Sequence, residues 1–514
     1  MIQTVGSRAL IVDLPDLDTV MNWHASLVAD PLPHQTDVIA AARTVLITFD
    51  SPSATRQAMK TLESFSAEDA EKNAPRDIVI DVLYDGEDLD DVADVLGISR
   101  EAVIDWHTST TWVAAFGGFA PGFTYCVAED DADARSIPRR SSPRTEVPAG
   151  SVGLAGEFSA VYPRPSPGGW QLLGRTTDPL WDSAATPPAL VMPGDRVRYN
   201  PVSTLDTSHA PSRFTMDRPP RRPLFTIDDI GLQTLYQDLG RQGNGNLGVT
   251  TSGSADRAAA RTANAAVGNK RNATLLENIG GMQLTALAEA VICITGAEAE
   301  VTVNDRGVPL ATPLIIPAGA TVTVGPATLG MRNYLAVRGG LIADTELDSA
   351  ATDLLSGLGP APLQPGDTVA ASLSRPDSAN ALLSNPLRVE KKDGVTHGTL
   401  RVIPGPRDAW FGDGLQKFLE TTWTVTAESN RVGLRLTGPE PIQRTRDGEL
   451  PSEGMVAGSI QIPPNGQPVV FLRDHAVTGG YPVIATVLHE DVDIAAQLPP
   501  ESQVTFELYS EGNE

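Results

Sequence analysis

Short runs rich in apolar, β-branched and aromatic residues alternate with glycine and proline turns along much of the chain. WVAAF (112–116), SVGLAG (151–156), FSAVYP (158–163), WQLLG (170–174) and DRVRYNPV (195–202) form one such series. AVICITGA (290–297), EVTVND (300–305), TVTVG (321–325) and NYLAVRGG (333–340) form a second, and residues 400–506 carry a third. This spacing predicts strands joined by tight turns, as in barrels or sandwiches. Helical spacing is rarer. After a strand at 44–49 it predicts a helix over 53–65, and then two short helices at 89–96 and 99–106, the second capped by Ser99. A further helix is capped by Ser254 and ends at Gly268-Asn269, and another spans 413–421. Four segments, beginning at Pro193, Pro317, Pro365 and Pro499, each place a turn before an alternating strand, a weak internal repeat.

The stretch 206–223 mixes prolines, basic and small polar residues without apolar periodicity, and reads as an interdomain linker. It divides the chain into a small α/β domain (1–75) and a barrel (76–205) on one side, and two barrel domains (224–395 and 396–514) on the other. The fold class expected is mainly β with α+β elements.

Composition narrows the partners. Of 514 residues, 64 are acidic and 39 basic, a net charge of −25. A field of that sign repels phosphate backbones and anionic lipid surfaces, so neither nucleic acid nor membrane is expected as a partner. Two cysteines, Cys126 and Cys293, make no disulfide framework. No secretory signal or membrane-length apolar run is recognised, which points to a cytoplasmic protein. No two of the seven histidines stand at ligand spacing, so no metal site is expected. His107, ending a helix before a β-run, is the histidine best placed for chemistry.

Two motifs are weighed and set aside. Residues 243–248 (GNGNLG) fit G-x-G-x-x-G, but a dinucleotide site needs a buried strand before the loop and a helix starting within it. Ala58-Met59-Lys60-Thr61 resembles a biotin-carrier tetrapeptide, yet its spacing is helical, so Lys60 is a surface lysine. The glycine turns 117–125, 142–158 and 166–176 stand beside Arg, Tyr and Trp. Such turns serve equally as barrel corners or as backbone donors to a carboxylate or amide ligand.

These strings also carry a resemblance. FAPGFTY (119–125), PRTEVPAGSVGLAG (143–156) and YPRPSPGGWQLLGRT (162–176) resemble the B subunit of 5-oxoprolinase, the allophanate hydrolase subunit 1 or Kip-inhibitor group. GLQTLYQDLGRQG (231–243), SGSADRAAARTAN (252–264), RVIPGPRD (401–408), SEGMVAGSIQIPPNGQP (452–468) and TGGYPVIATV (478–487) resemble the C subunit of that enzyme. The chain thus looks like a fusion of the two. The resemblance implies cyclophilin-like β-barrels in both halves and three functions. The first is the B–C component of ATP-dependent 5-oxoprolinase, which opens 5-oxoproline to glutamate with a separate A-type component. The second is a carboxyltransferase component for an amide or guanidino substrate, served by biotin carboxylase and biotin carrier proteins. The third is a Kip-type regulator of a histidine kinase. ATP with Mg is implied in the assembled system, covalent biotin on this chain is not, and a homodimer is a further expectation.

Site residues follow from the same strings. Asp182, Glu453, Asp474 and His107 are the candidate catalytic groups, because carboxylates sharing a cleft can hold split pKa values. Arg144 and Arg175 offer bidentate grips for a substrate carboxylate. Phe123, Tyr125, Trp170, Gln461 and Tyr481 complete the expected walls. Urea carboxylases resemble the stretch around Asp182 with an asparagine there, which suits a neutral amide. The chain departs from the family pattern at the acidic run after Cys126, at Ala476-Val477 and at Met282.

Overall fold

The computed structural model describes residues 1–67, 75–142, 144–206, 221–372, 383–446, 448 and 450–510. Pro143 and most of the expected linker lie outside them. The linker reading ends early, because Arg221 already opens the strand Arg221–Asp229, paired with Thr368–Ser372.

The N-terminal unit is an antiparallel sheet with strand order Ile2–Thr4, Ala9–Asp13, Thr44–Phe49, Gln35–Ala40. Helices Leu17–Ala29 and Pro52–Leu62 cover it. The second is the helix foreseen at 53–65; Ser51 caps it by accepting from the Ala54 N–H, and Lys60 is exposed on it. The anticipated short helices are Leu89–Leu96 and Arg100–Ser109, stopped at a left-handed Gly97 and capped by Ser99.

The first barrel has seven strands, from Gln171–Arg175 at one edge to Asp77–Val82 at the other. Asp77–Val82 pairs in parallel with the last strand, Arg196–Pro201. The edges then meet: Leu83 and Arg175 exchange both backbone hydrogen bonds, at 2.9 and 3.0 Å. A closed barrel leaves no unpaired edge. The seam demands glycine at position 174, where a Cβ would stand 2.4 Å from the Leu83 carbonyl oxygen.

The C-terminal half contains a ten-stranded sheet built on the long antiparallel pair Ala290–Val303 and Thr321–Val337. An eight-stranded sheet follows, and it closes through a parallel pair of its own strands. Its last strand, Gln503–Leu508, pairs in parallel with Val395–Pro404. The weak repeat in the sequence therefore has a partial meaning: the segments after Pro193 and Pro499 are each the last strand of a barrel, paired in parallel with a strand from near its start. Mainly β architecture with cyclophilin-like barrels is what the sequence led us to expect.

Helix Arg257–Ala266 corrects one detail. Asp256, not Ser254, is its N-cap, accepting from the Ala259 N–H at 2.9 Å. The Ser254 hydroxyl instead donates to the Asp238 carbonyl, because the chain at 252–255 has not yet turned helical.

The two halves dock closely. The glycine-rich loop 243–248 is part of the joint. Gly122 N–H donates to the Leu247 carbonyl at 3.1 Å, and Gly245 N–H to Asp37 Oδ2 at 3.0 Å. A Cβ on Gly248, whose φ is +76°, would lie 2.2 Å from the Ala120 carbonyl oxygen. The loop's glycines thus allow backbone to meet backbone, and its Leu247 and Gly248 amides are spent on Asn244 and Gly245 carbonyls.

Candidate functional site

The structure does not gather the eleven sequence-derived residues into one cleft. Phe123, Tyr125 and Trp170 do come together, with ring centroids 5.0–5.6 Å apart, but as buried core with Phe116 and Tyr162, against which the partly buried Phe119 packs. His107 lies in the first barrel's core. Its ring nitrogens meet the Tyr84 hydroxyl at 2.7 Å and the Ser159 hydroxyl at 3.0 Å, and it stacks on Tyr199. Burial pushes its imidazole down to about 3, which keeps it neutral.

The arginines grip the protein's own acids. Arg144 clamps Asp88 through two bonds of 2.9 Å and reaches Glu87, while Asp88 also accepts from the Leu172 N–H at 2.7 Å. Arg175 is exposed and paired with Asp85 at 3.0 Å. Asp182 closes a turn by accepting from the Ala184 N–H at 2.9 Å.

In the C-terminal half, Asp474 is fully buried, and both of its oxygens are engaged. Arg431 donates from Nε at 2.8 Å and from Nη2 at 2.9 Å, Ser252 from its hydroxyl at 2.6 Å, and Leu354 from its N–H at 3.3 Å. Arg431 reaches on to Glu277, which also accepts from the Tyr334 hydroxyl. Glu453 is buried beneath Arg407, which donates to it at 2.7 Å and also pairs with Asp13 of the N-terminal sheet. Burial raises the Glu453 carboxyl and Arg407 opposes the rise. Gln461 donates to the Tyr481 carbonyl at 3.0 Å, and the Arg444 guanidinium lies 5.7 Å from the half-exposed Tyr481 ring.

A cavity of about 360 Å³ lies where the halves meet. Residues 5–9 and parts of 36–50 form its N-terminal wall. Residues of the loop from Gln242 to Ser252, helix residues Arg257 and Arg261, residues 455–457, and Arg473, His475, Val477, Thr486, Val487 and His489 form the other. Four arginines (8, 257, 261 and 473) and two histidines (475 and 489) line it, facing Asp37. Burial pushes the Asp37 carboxyl up to about 6, against the pull of N–H groups from Gly245 and Val38. Sequence reasoning missed these groups. The only signals were Arg257 and Arg261 four apart in 252–264, on one helix face, and the residues flanking Asp474. Among the described residues no cluster of three or more His, Cys, Asp or Glu could hold a metal, and no helix is long and apolar enough to cross a membrane.

Residues 1–191 match the family described as "Carboxyltransferase domain, subdomain C and D", and residues 247–508 match "Carboxyltransferase domain, subdomain A and B". The chain belongs to the carboxyltransferase-domain family. Among its relatives, the 5-oxoprolinase C subunit of Escherichia coli (strain K12) is 35% identical over 288 residues, 55% of this chain and 90% of that protein. The 5-oxoprolinase B subunit of Escherichia coli O157:H7 is 34% identical over 206 residues, 38% of this chain and 94% of that protein. The crystal structure of TTHA0988 superposes with a TM-score of 0.85 at 32% identity, covering 99% of this chain and all of that one. The chain is accordingly a fusion of B-like and C-like parts within this carboxyltransferase family.

Proposed function

We propose that the chain is the joined B–C component of an ATP-dependent 5-oxoprolinase, working with a separate A-type component. One observation carries the reading: the cavity has walls from both halves, and those halves match almost the whole of two 5-oxoprolinase subunits. In the reaction, water adds to the lactam carbonyl, the ring C–N bond breaks and glutamate forms, while ATP is hydrolysed to ADP and phosphate. Fixed cations suit the negative charge that builds on the carbonyl oxygen during such an addition. His107, Asp182 and Asp474 do not line this cavity, so the chemistry is proposed for the cavity's own groups.

The test mixes purified chain with an A-type protein of 5-oxoprolinase, ATP, Mg and 5-oxoproline. Glutamate release that requires all components supports the reading, and none at all sinks it. The family description favours one second reading, transfer of a carboxyl group from carboxybiotin on a carrier protein. It predicts carboxylated amide product without the A-type protein.

A further inference from the structure

An acidic chain has concentrated positive charge in one place. Two of the cavity's four arginines have carboxylate partners: Arg8 meets Glu490 at 2.7 Å and Arg473 meets Asp493 at 3.0 Å. The other two have none within ion-pair distance among the described residues. Arg257 is 93% buried, the complement of its 7% exposure, and its Nη2 donates only to the Leu239 and Ser252 carbonyls, both at 3.2 Å. Its Nε is buried with no partner, as is Nε of Arg8. Arg261, one turn along the helix, is exposed and makes no hydrogen bond or close ion pair among the described residues.

Burying a guanidinium without a direct ion pair is costly, so a site that keeps one gains by receiving an anion. The charge of Asp493 acts on both Arg257 and Arg261, but its oxygens are taken by Arg473 and by the Arg257 and Ala258 N–H groups. The acids on the lining do not fill that role. Asp37 is engaged by two backbone N–H groups, and Asp50 turns to His34 at 2.8 Å. His489 reports the convergence: burial first, then the charges of Arg473, Arg257, Arg8 and Arg261, push its imidazole far down, so it adds no positive charge. A volume of about 360 Å³ is at the small end for ligand sites.

We infer that this cavity is an oxyanion site, taking a small ligand of one or two negative charges, carboxylate or phosphoryl, between Arg257 and Arg261. Arg257 is the buried anchor and Arg261 the outer grip. The inference deepens the proposed function, and rests on it only for treating the cavity as the working site.

The experiment is calorimetric titration of the full chain at fixed ionic strength with three probes: sodium 5-oxoproline, inorganic phosphate and neutral 2-pyrrolidinone. Arg261→Gln, on an exposed position, keeps the fold. Saturable binding of either anion, weakened at least tenfold by Arg261→Gln and absent for 2-pyrrolidinone, is the expected result. Whichever anion binds more tightly identifies the carboxylate or the phosphoryl source. Absence of anion binding, or anion binding equal in wild type, Arg261→Gln and Arg257→Gln, overturns the inference. Anion binding without glutamate release overturns the proposed function alone. Glutamate release undiminished in Arg261→Gln overturns the oxyanion site alone.

Discussion

Asp474→Asn separates a reactive carboxylate from a structural one. In the wild type, Oδ1 accepts from Ser252 and Arg431 Nη2, and Oδ2 from Arg431 Nε and the Leu354 N–H. An asparagine has one acceptor oxygen, so two of these four donors must face its NH2 group. Each buried donor left without a partner costs about 1–3 kcal/mol. Arg431 also loses one of its two counter-charges, with only Glu277 remaining, and breaking a buried pair in this way costs about 3–5 kcal/mol in total. Ser252→Ala removes one donor and leaves the ion pair whole, so its cost is about 1–2 kcal/mol. Urea unfolding followed by tryptophan fluorescence, with hydrogen exchange assigning the transition to the C-terminal barrel, reads both values. Turnover per folded molecule should be unchanged, since Asp474 is not on the cavity lining. A stable Asp474→Asn protein, shifted by less than about 1 kcal/mol yet inactive, would refute the structural assignment.

Three further outcomes follow from the geometry. Gly248→Ala places a Cβ 2.2 Å from the Ala120 carbonyl at a positive φ, so the joint between the halves opens; limited proteolysis should quicken, and an unchanged digestion rate would contradict it. Arg407→Met leaves Glu453 buried without its cation and costs about 3–5 kcal/mol, with Arg407→Lys between it and wild type; equal melting of all three would argue that the Asp13–Arg407–Glu453 bridge is idle. His107 binds a proton at about 3 when folded and near the ordinary 6.5 when unfolded, so stability is complete above about pH 6.5 and falls as pH drops towards 3. The slope from this group is about 1.4 kcal/mol per pH unit. His107→Gln should flatten the acid limb of the stability curve by that amount, and an unaltered limb would mean His107 does not titrate as its burial implies.

Local physics is readable in the chain. The apolar, β-branched run at 44–49 is the strand Thr44–Phe49, and the Ser99 cap and Gly97 stop stand where their chemistry places them. Long-range pairing is not readable. Arg8 and Glu490 stand 482 residues apart, and nothing near either signals the other. Asp88 reads as one acid in an acidic run, yet it is the partner that occupies Arg144, so the bidentate grip expected for a substrate closes on the protein itself. The motif strings mark barrel corners and docking surfaces as faithfully as chemistry, because both require glycine and a fixed backbone. Periodicity sees which face is buried, and it cannot see against what.

A cavity with one wall from each half ties two equilibria together. Any ligand it holds binds the docked arrangement and not the separated one, so it stabilises docking by about 2.7 kcal/mol at a hundredfold excess over its Kd. The reverse holds with equal force. A substitution such as Gly248→Ala, which acts on the joint and not on the cavity's charged groups, weakens ligand affinity to the extent that it populates the separated arrangement. In a system where the two parts are separate polypeptides, substrate would serve as the signal that assembles them. Fusion into one polypeptide replaces that dependence on bulk concentration with a fixed local one, and the cavity can then form before any ligand arrives.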